Sequence, residues 1–258
     1  MITKQYFEAI VPSFRDCEDE IFASIEIYLQ NIAQSVQKEF ELTQEQTETE
    51  AIAPLFSAYV CKRTAYETLP HLDLILTANG FAVVSNQNLT PASRQRVYDL
   101  KERLRREKSD AKDILMRELA ETGLYAPNNL LWCPQLVRKY GIRTKDGNIV
   151  YEEEMQLVQT DIDAAHHHCA MIVSEEQMQE LISLQETLFY RDLTDLCRRF
   201  MAAHVKGDTK AIRLMTHNVQ RLLNENADAL PMYKSSSKYE ADHFTPYENK
   251  RNDSTFFF

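Results

Sequence analysis

Apolar side chains recur at helical spacing through most of the chain. Ser13 precedes a first long amphipathic helix whose inner stripe repeats every three or four positions. That stripe comprises Ile21, Ile25, Tyr28, Ile32 and Val36. A second helix is predicted over about residues 51–68, with Ile52, Leu55, Tyr59 and Tyr66 facing inward. The first quarter of the chain is therefore expected to form two packed helices.

The pattern changes after Pro70, where short β-prone runs flank Asn79-Gly80. A turn of this kind between two such runs predicts a β-hairpin near residues 72–85. Thr90-Pro91 then combines a capping side chain with a proline suited to a first helical turn, which predicts a helix that ends near Gly123.

The middle of this third helix, residues 101–113, is almost wholly charged. The sequence KERLRREKSDAKD predicts a solvated helix stabilised by pairs four residues apart. The alternative is a helix that bridges to a neighbouring subunit.

The second half of the chain repeats a similar order of elements. A second hairpin is predicted near residues 141–151, around Asp146-Gly147. Three helices are predicted to follow, over about residues 153–172, 174–206 and 208–230, the last capped by Asp208. Low glycine and proline contents, 5 and 8 residues in 258, also favour helices.

The predicted fold class is therefore mainly α: a helical bundle-like body with two small β-hairpins and an extended C-terminal arm. Three regions are expected. Residues 1–125 form an N-terminal helical region with the hairpin near 72–85, and residues 126–230 form a C-terminal helical region with the hairpin near 141–151. Residues 231–258 form the extended arm.

Charge and cysteine usage restrict the partners. A net charge of −10 argues against a general nucleic-acid binder. The same charge is compatible with an acidic surface that repels DNA moving past it. The five cysteines are scattered without CxxC spacing, so free thiols in a reducing compartment are expected. The first residues lack a signal-peptide pattern and no apolar run approaches the roughly 20 residues of a membrane span, so we expect a cytoplasmic protein without a membrane partner.

Residues 161–169 hold the one cluster that resembles a metal site, built from Asp161, Asp163, Cys169 and the run His166–His168. Successive helical residues point about 100° apart, so three adjacent histidines cannot all face one ion. Asp163 and His167 have suitable spacing, but two ligands do not make a tight site. We therefore predict no metal, cofactor or catalytic residues, and we interpret the run Glu152–Glu154 as solvated.

Three phenylalanines, Phe256, Phe257 and Phe258, follow a polar run. Residues 234–255 are too polar to bury a core of their own. Burying one phenylalanine ring stabilises by roughly 1.5–3 kcal/mol, so the triplet has apolar area available for a contact. Two interpretations stay open: the segment anchors on another surface, or it folds back onto its own domain.

Six short motifs stand out along the chain: Leu72-Asp73-Leu74, Gly80-Phe81, Val84-Ser85-Asn86, Pro91-Ala92-Ser93, Tyr247-Glu248-Asn249-Lys250 and Phe257-Phe258. Together they resemble those of an uncharacterised family of phage- and prophage-encoded structural proteins. Such proteins are similar to head–tail connector (adaptor) proteins, which form a ring between the portal and the tail. The resemblance implies a ring oligomer of this chain that contacts portal and tail proteins close to translocating DNA.

The resemblance also implies a role for the arm and a location. Its Phe256–Phe258 segment would clasp a neighbouring subunit or the portal, with Tyr239, Phe244 and Tyr247 as further contacts. The protein would lie in the host cytoplasm during assembly, and in the virion if the phage is active.

Two other function classes remain as alternatives. One is a metal-dependent hydrolase or nuclease that uses Asp161, Asp163 and His167. The other is a regulatory or chaperone-like partner-binding protein, which predicts a stable monomer with a permanent apolar groove.

Overall fold

The computed structural model describes residues 2–15, 17–72, 74–77, 80–83, 94–183 and 188–244. Within these ranges the chain is mainly helical, which confirms the mainly α class. The helices before residue 130 are α1 (Lys4–Ile10), α2 (Asp19–Glu39), α3 (Gln44–Thr47), α4 (Ala53–Leu72) and α5 (Arg94–Glu121). The later ones are α6 (Pro134–Lys139), α7 (Met155–Val173), α8 (Glu175–Ser183), α9 (Leu188–Val205), α10 (Thr209–Glu225), α11 (Pro231–Lys234) and α12 (Ser237–Asp242). Short 3-10 turns lie at Pro12–Phe14 and Ala227–Ala229.

The chain divides into two compact units. The first comprises residues 1–126, 133–135 and 151–153, and the second comprises residues 127–132, 136–150 and 154–258. The short segment 151–153 belongs to the first unit although the chain around it belongs to the second.

In the first unit, α4 is the central helix, and both α2 and α5 pack against it. The buried stripe of α2 is Ile25, Leu29, Ile32 and Val36. Ile25, Ile32 and Val36 agree with the predicted stripe. Leu29 is buried in place of Tyr28, and both Ile21 and Tyr28 are more than a third exposed. Helix α4 continues through Pro70 to Leu72, beyond the predicted end at Thr68, because a proline in a last turn removes only one intrahelical donor.

The first unit also contains two short strands, β1 (Leu74–Thr77) and β2 (Gly80–Val83). They pair antiparallel, with Leu74 opposite Val83 and Thr77 opposite Gly80. The pair lies at the first of the two predicted hairpin positions. The predicted helix start at Thr90-Pro91 lies outside the described residues.

The second predicted hairpin, near residues 141–151, is wrong. A single antiparallel bridge joins Arg143 and Ile149, and no strand forms among residues 141–151. The turn closes locally, because the Thr144 side chain accepts the Asn148 N–H (3.0 Å) and the Thr144 carbonyl accepts the Gly147 N–H (2.9 Å). Ile142 and Val150, on either side, are buried in the core of the second unit and do not extend a ladder.

In the second unit, α7, α9 and α10 pack against one another around a common apolar core. Helix α8 contacts α7 and α11. Asp208 caps α10 as predicted, since its carboxylate accepts the backbone N–H groups of Lys210 (3.1 Å) and Ala211 (3.0 Å). These bonds satisfy two of the four donors that a helix start leaves unpaired.

The predicted extended arm over residues 231–258 is wrong for its first part, because α11 and α12 lie within residues 231–242. Two contacts stabilise these helices although the segment is polar. The Ser236 hydroxyl accepts the Tyr239 N–H (3.2 Å) and caps α12, while Tyr233 is buried in the core of the second unit. Residues 245–258 lie outside the described part of the chain.

We expect the change Asp208→Ala to lower the free energy of unfolding by about 1 kcal/mol, because it removes the side-chain cap of α10. Urea unfolding followed by circular dichroism measures the change. Asp192→Ala, at an exposed position inside α9, is the matched control and should stay within about 0.5 kcal/mol of the parent. Equal effects of the two changes would contradict the capping role.

Candidate functional site

The charged middle of α5 is partly buried, which corrects its interpretation as a solvated helix. Lys108 is 5% exposed, and Asp113 and Ser109 are fully buried. The opposite face does carry exposed charges, such as Arg106 and Asp110. Helix α5 therefore presents one polar face to α4 and another to solvent.

Two lysines of α5 are the centre of a buried ion-pair network in the first unit. Lys112 bonds both Glu39, at the end of α2, and Glu152 (2.8 Å). Lys108 bonds Glu153 and lies 3.4 Å from the second oxygen of Glu152. The interpretation of Glu152–Glu154 as a solvated run is therefore wrong for Glu152 and Glu153, because both neutralise lysines of α5.

Helix α4 contributes further members of the network, and Arg105 of α5 lies 3.4 Å from Glu153. The buried Tyr59 hydroxyl donates to Glu152 at 3.0 Å. Arg63 binds Glu39 at 3.2 Å and Glu67 at 2.8 Å. The Lys108 ammonium also lies 4.5 Å from the centre of the Tyr66 ring, a cation–π distance.

The network holds its groups in their usual charge states at neutral pH. Burial alone would raise the pKa of Glu152, but Lys112 and Lys108 outweigh it and the pKa is lowered. Burial likewise opposes the charge of Lys112, yet Glu152 and Glu39 raise its pKa. Burial and the Glu152 charge raise the pKa of Tyr59 far above its ordinary value. Each shift moves the pKa of the group further from pH 7, so the arrangement suits stabilisation better than proton transfer.

The predicted metal-like cluster on α7 does not converge on one point. Among the described residues no group of three or more His, Cys, Asp and Glu side chains is placed to hold a metal ion. His168 stacks on His204 at 4.4 Å, whereas Asp163 accepts hydrogen bonds from Gln159 (2.8 Å) and Asn129 (3.4 Å).

Two other members of the cluster, Cys169 and His166, are held in or near the core of the second unit, while His167 is exposed and Asp161 lies 3.8 Å from the Lys145 ammonium. Cys169 is fully buried, and the Cys197 thiol together with burial raises its pKa. Burial lowers the pKa of His166, which favours the neutral ring.

The six predicted partner-binding residues fall into two groups. Tyr239 is partly buried against the core of the second unit, where its ring meets Tyr233 edge-on at 5.4 Å. His243 stacks on the other side of Tyr239 at 4.0 Å. Phe244 follows at once and is 75% exposed. Tyr247, Phe256, Phe257 and Phe258 lie outside the described residues.

Sequence reasoning missed the contact that holds α11 in place. The side-chain oxygen of Gln177, a fully buried residue of α8, accepts the Tyr233 N–H at 3.1 Å. A glutamine in a polar helical stretch gives no signal of burial, because its amide bonds a backbone group 56 residues away. Tyr233, Ser236 and Tyr239 thus anchor this segment within the second unit, whereas Phe244 is exposed.

A groove lies on the first unit between α2, α3 and α4. Its volume is about 430 Å³, within the range of pockets that hold ligands. Leu29, Ala33 and Phe56 supply apolar lining, and Glu26 and Glu48 supply charge. This feature corresponds to what the partner-binding alternative predicts.

Comparisons with known proteins identify one similarity. Residues 23–130 match a family of unknown function (DUF6712). This stretch includes α4 and also α5, the helix that carries Lys108 and Lys112. No curated protein and no solved structure matches the chain. In the described part of the chain, no helix is both long and apolar enough to cross a membrane.

We expect Lys112→Met to lower the free energy of unfolding by about 3 kcal/mol, because it leaves Glu39 and Glu152 without their shared cation. Arg106→Met removes one positive charge from the exposed face of the same helix and is the matched control, with an expected change below about 0.5 kcal/mol. Urea unfolding measures both. Adding Glu152→Gln to Lys112→Met should recover part of the loss, and a purely additive further loss would contradict the network.

Stability should also fall in acid because of this network. The pKa values of Glu152 and Glu153 are lowered in the folded protein, so their contribution is complete above the unfolded carboxyl pKa and is lost as the pH falls through the folded values. Unfolding free energies of the parent and of the double variant Glu152→Gln/Glu153→Gln, measured between pH 7 and pH 3, test this. The parent should lose more stability over that window, and parallel curves would contradict the prediction.

Proposed function

We propose that the chain is a non-enzymatic assembly protein, a head–tail connector subunit that forms a ring between the portal and the tail of a tailed phage or prophage. The observation that carries the proposal is Phe244, which is 75% exposed and lies five residues after Tyr239, a side chain packed on the core of the second unit. The exposed Phe244 ring, close to the anchored Tyr239, is placed where the chain can go on to contact another protein. The motifs at residues 72–93 and 247–258 supply the phage setting.

A face of α7 offers a second surface for subunit contacts. Leu157 and Met171 are 63% and 61% exposed, and Ala164 lies midway between them in sequence. Residues seven apart lie on nearly the same side of a helix, and apolar residues at this spacing are typical of helix–helix packing. In the proposed ring, this face contacts the adjacent subunit.

The electrostatics of the first unit fit a structural role. The densest group of charged side chains consists of carboxylates and cations that stabilise one another in their ionised forms. Such a network favours a rigid body, which a ring subunit needs in order to hold its contact surfaces in fixed positions.

The arm itself is the finer part of the proposal. Residues 245–258 extend from Phe244 to a neighbouring subunit or the portal, where Phe256–Phe258 bury their rings. Tyr247 adds a further aromatic contact, while Tyr239 holds the base of the arm.

Deletion of residues 247–258 tests this function. We expect the shortened protein to keep its melting temperature, because the proposed arm makes its contacts on another chain, and to lose assembly with the portal protein of the same genome. Differential scanning calorimetry and sedimentation velocity measure the two properties. Replacing residues 252–255 by glycine and serine, with Tyr247 and Phe256–Phe258 kept, is the control and should retain most assembly.

Unfolding of the shortened body would contradict the arm and would place the segment in the core. A partner-binding regulator is the second candidate, favoured by the groove on the first unit. It predicts a stable monomer at every concentration with or without the portal protein, whereas the connector proposal predicts rings.

A further inference from the structure

The exposed face of α7 is arranged symmetrically in sequence about Ala164. Leu157 and Met171 lie seven residues before and after it, and their side chains are 63% and 61% exposed. Ala164 is exposed as well. At about 100° per residue, both flanking side chains point within about 20° of the direction of Ala164, so the three form one stripe along the helix. The small side chain at the centre of the stripe lets a second helix approach closely.

Polar side chains flank this stripe on both sides. Asp161 lies three residues before Ala164 and His168 four residues after it, and at helical spacing both turn to the same side of the stripe. Thr160 and His167 occupy the corresponding positions on the other side. Each side of the stripe therefore carries one oxygen that accepts hydrogen bonds and one imidazole that donates them.

These polar groups are accessible in the single chain. The Asp161 side chain is 40% exposed and lies 3.8 Å from the Lys145 ammonium, whose side chain is 85% exposed. His167 and His168 are both exposed, although the His168 ring stacks on His204 at 4.4 Å. Another protein chain can therefore reach the carboxylate and both imidazoles.

A second copy of α7 complements this face in the antiparallel direction. A two-fold axis at Ala164 brings Leu157 of each copy to the same height as Met171 of the other. Asp161 of each copy then lies on the same side as His168 of the other, about 1.5 Å away in height along the helix. The parallel direction would place Asp161 beside Asp161, and like charges at such a contact are unfavourable.

We propose that two copies of the chain form a two-fold dimer through antiparallel α7 helices, with Ala164 at the axis. Leu157 and Met171 pack across the contact, and Asp161 accepts a hydrogen bond from His168 of the other copy. One pair of helices covers less than the roughly 1,200 Å² of a standard interface, so the dimer is reversible in the micromolar range.

The inference goes beyond the proposed function, because a two-fold contact closes after two subunits and does not build a ring. The dimer is a state of the free chain. It covers the same face of α7 that the proposed ring uses, so the dimer must open before a ring forms.

Sedimentation velocity across the micromolar range, without the portal protein, tests the dimer. Each full-length chain carries Phe256→Ser, Phe257→Ser and Phe258→Ser, so that the proposed arm does not contribute. Ala164→Glu places two carboxylates at the axis and should weaken dimerisation about tenfold or more. Ala23→Glu adds the same charge at an exposed position of α2 and is the matched control, which should leave dimerisation unchanged. Circular dichroism verifies that each variant is folded.

A charge exchange tests the register. Asp161→Lys should weaken dimerisation about fivefold, because the new ammonium faces an imidazole without an acceptor for it. Adding His168→Glu to the same chain should restore dimerisation, because the two-fold axis pairs these positions between copies. A double variant that is as weak as Asp161→Lys alone would contradict this register.

Disulfide cross-linking tests the direction of the helices. The 14 residues from Leu157 to Met171 rise about 21 Å, so in an antiparallel pair two copies of position 157 are too far apart to be linked. Mild oxidation of mixed Leu157→Cys and Met171→Cys chains should therefore join position 157 to position 171, as identified by mass spectrometry, whereas Leu157→Cys chains alone should not be linked to each other at this position.

The outcomes separate this inference from the proposed function. A link between two copies of position 157, equal dimerisation of the Ala164→Glu and Ala23→Glu chains, or a chain that stays monomeric overturns the dimer. Rings formed with the portal protein by a chain that never dimerises also overturn it and leave the connector proposal intact. A dimer linked from 157 to 171 in a chain that never assembles with the portal protein supports the inference and contradicts the connector.

Discussion

The burial of two lysines on α5 is the constraint on which the first unit depends. The Lys108 and Lys112 side chains are largely buried. An ammonium without a partner at such a place would lower the free energy of unfolding by several kcal/mol. The carboxylates that pair with them come from outside α5, from Glu39 of α2 and from Glu152 and Glu153. This requirement accounts for the inclusion of residues 151–153 in the first unit, although their sequence neighbours belong to the second. The ion pairs therefore fix which distant parts of the chain fold together.

The same network bears on function. Its lysines and carboxylates stabilise each other's charge, and Tyr59 is held in its neutral form, so these groups are suited to rigidity rather than to proton transfer. The features that face outward are of a different kind: the exposed Leu157 and Met171 of α7, the exposed Phe244, and the acidic groove beside Ala33. Exposed apolar side chains of this kind are typical of surfaces that contact other protein chains, and the proposed function rests on that general property.

Features that depend on neighbouring residues were predicted from the sequence. Features that depend on contacts with distant residues were not. Helical periodicity and scarce glycine predicted the mainly α class, and Asp208 before an amphipathic stretch predicted the start of α10. The charged run of α5 was interpreted as solvated because its partners lie some 40 residues away. The polar residues after Lys234 were predicted to be extended, yet the cap at Ser236 and the bond between Tyr233 and Gln177 hold them. The Asp146-Gly147 turn formed without strands because Thr144 closes it locally.

The central claim is that copies of this chain assemble through residues 245–258. Site-specific photo-cross-linking tests it most directly: a photoreactive phenylalanine analogue replaces Phe257 in the full-length chain, and isotopically labelled and unlabelled copies are mixed before illumination. Mass spectrometry then identifies the linked peptides. The account predicts links between differently labelled copies, joining position 257 to one defined set of peptides. Links confined to single chains, or spread over unrelated surfaces, would contradict it.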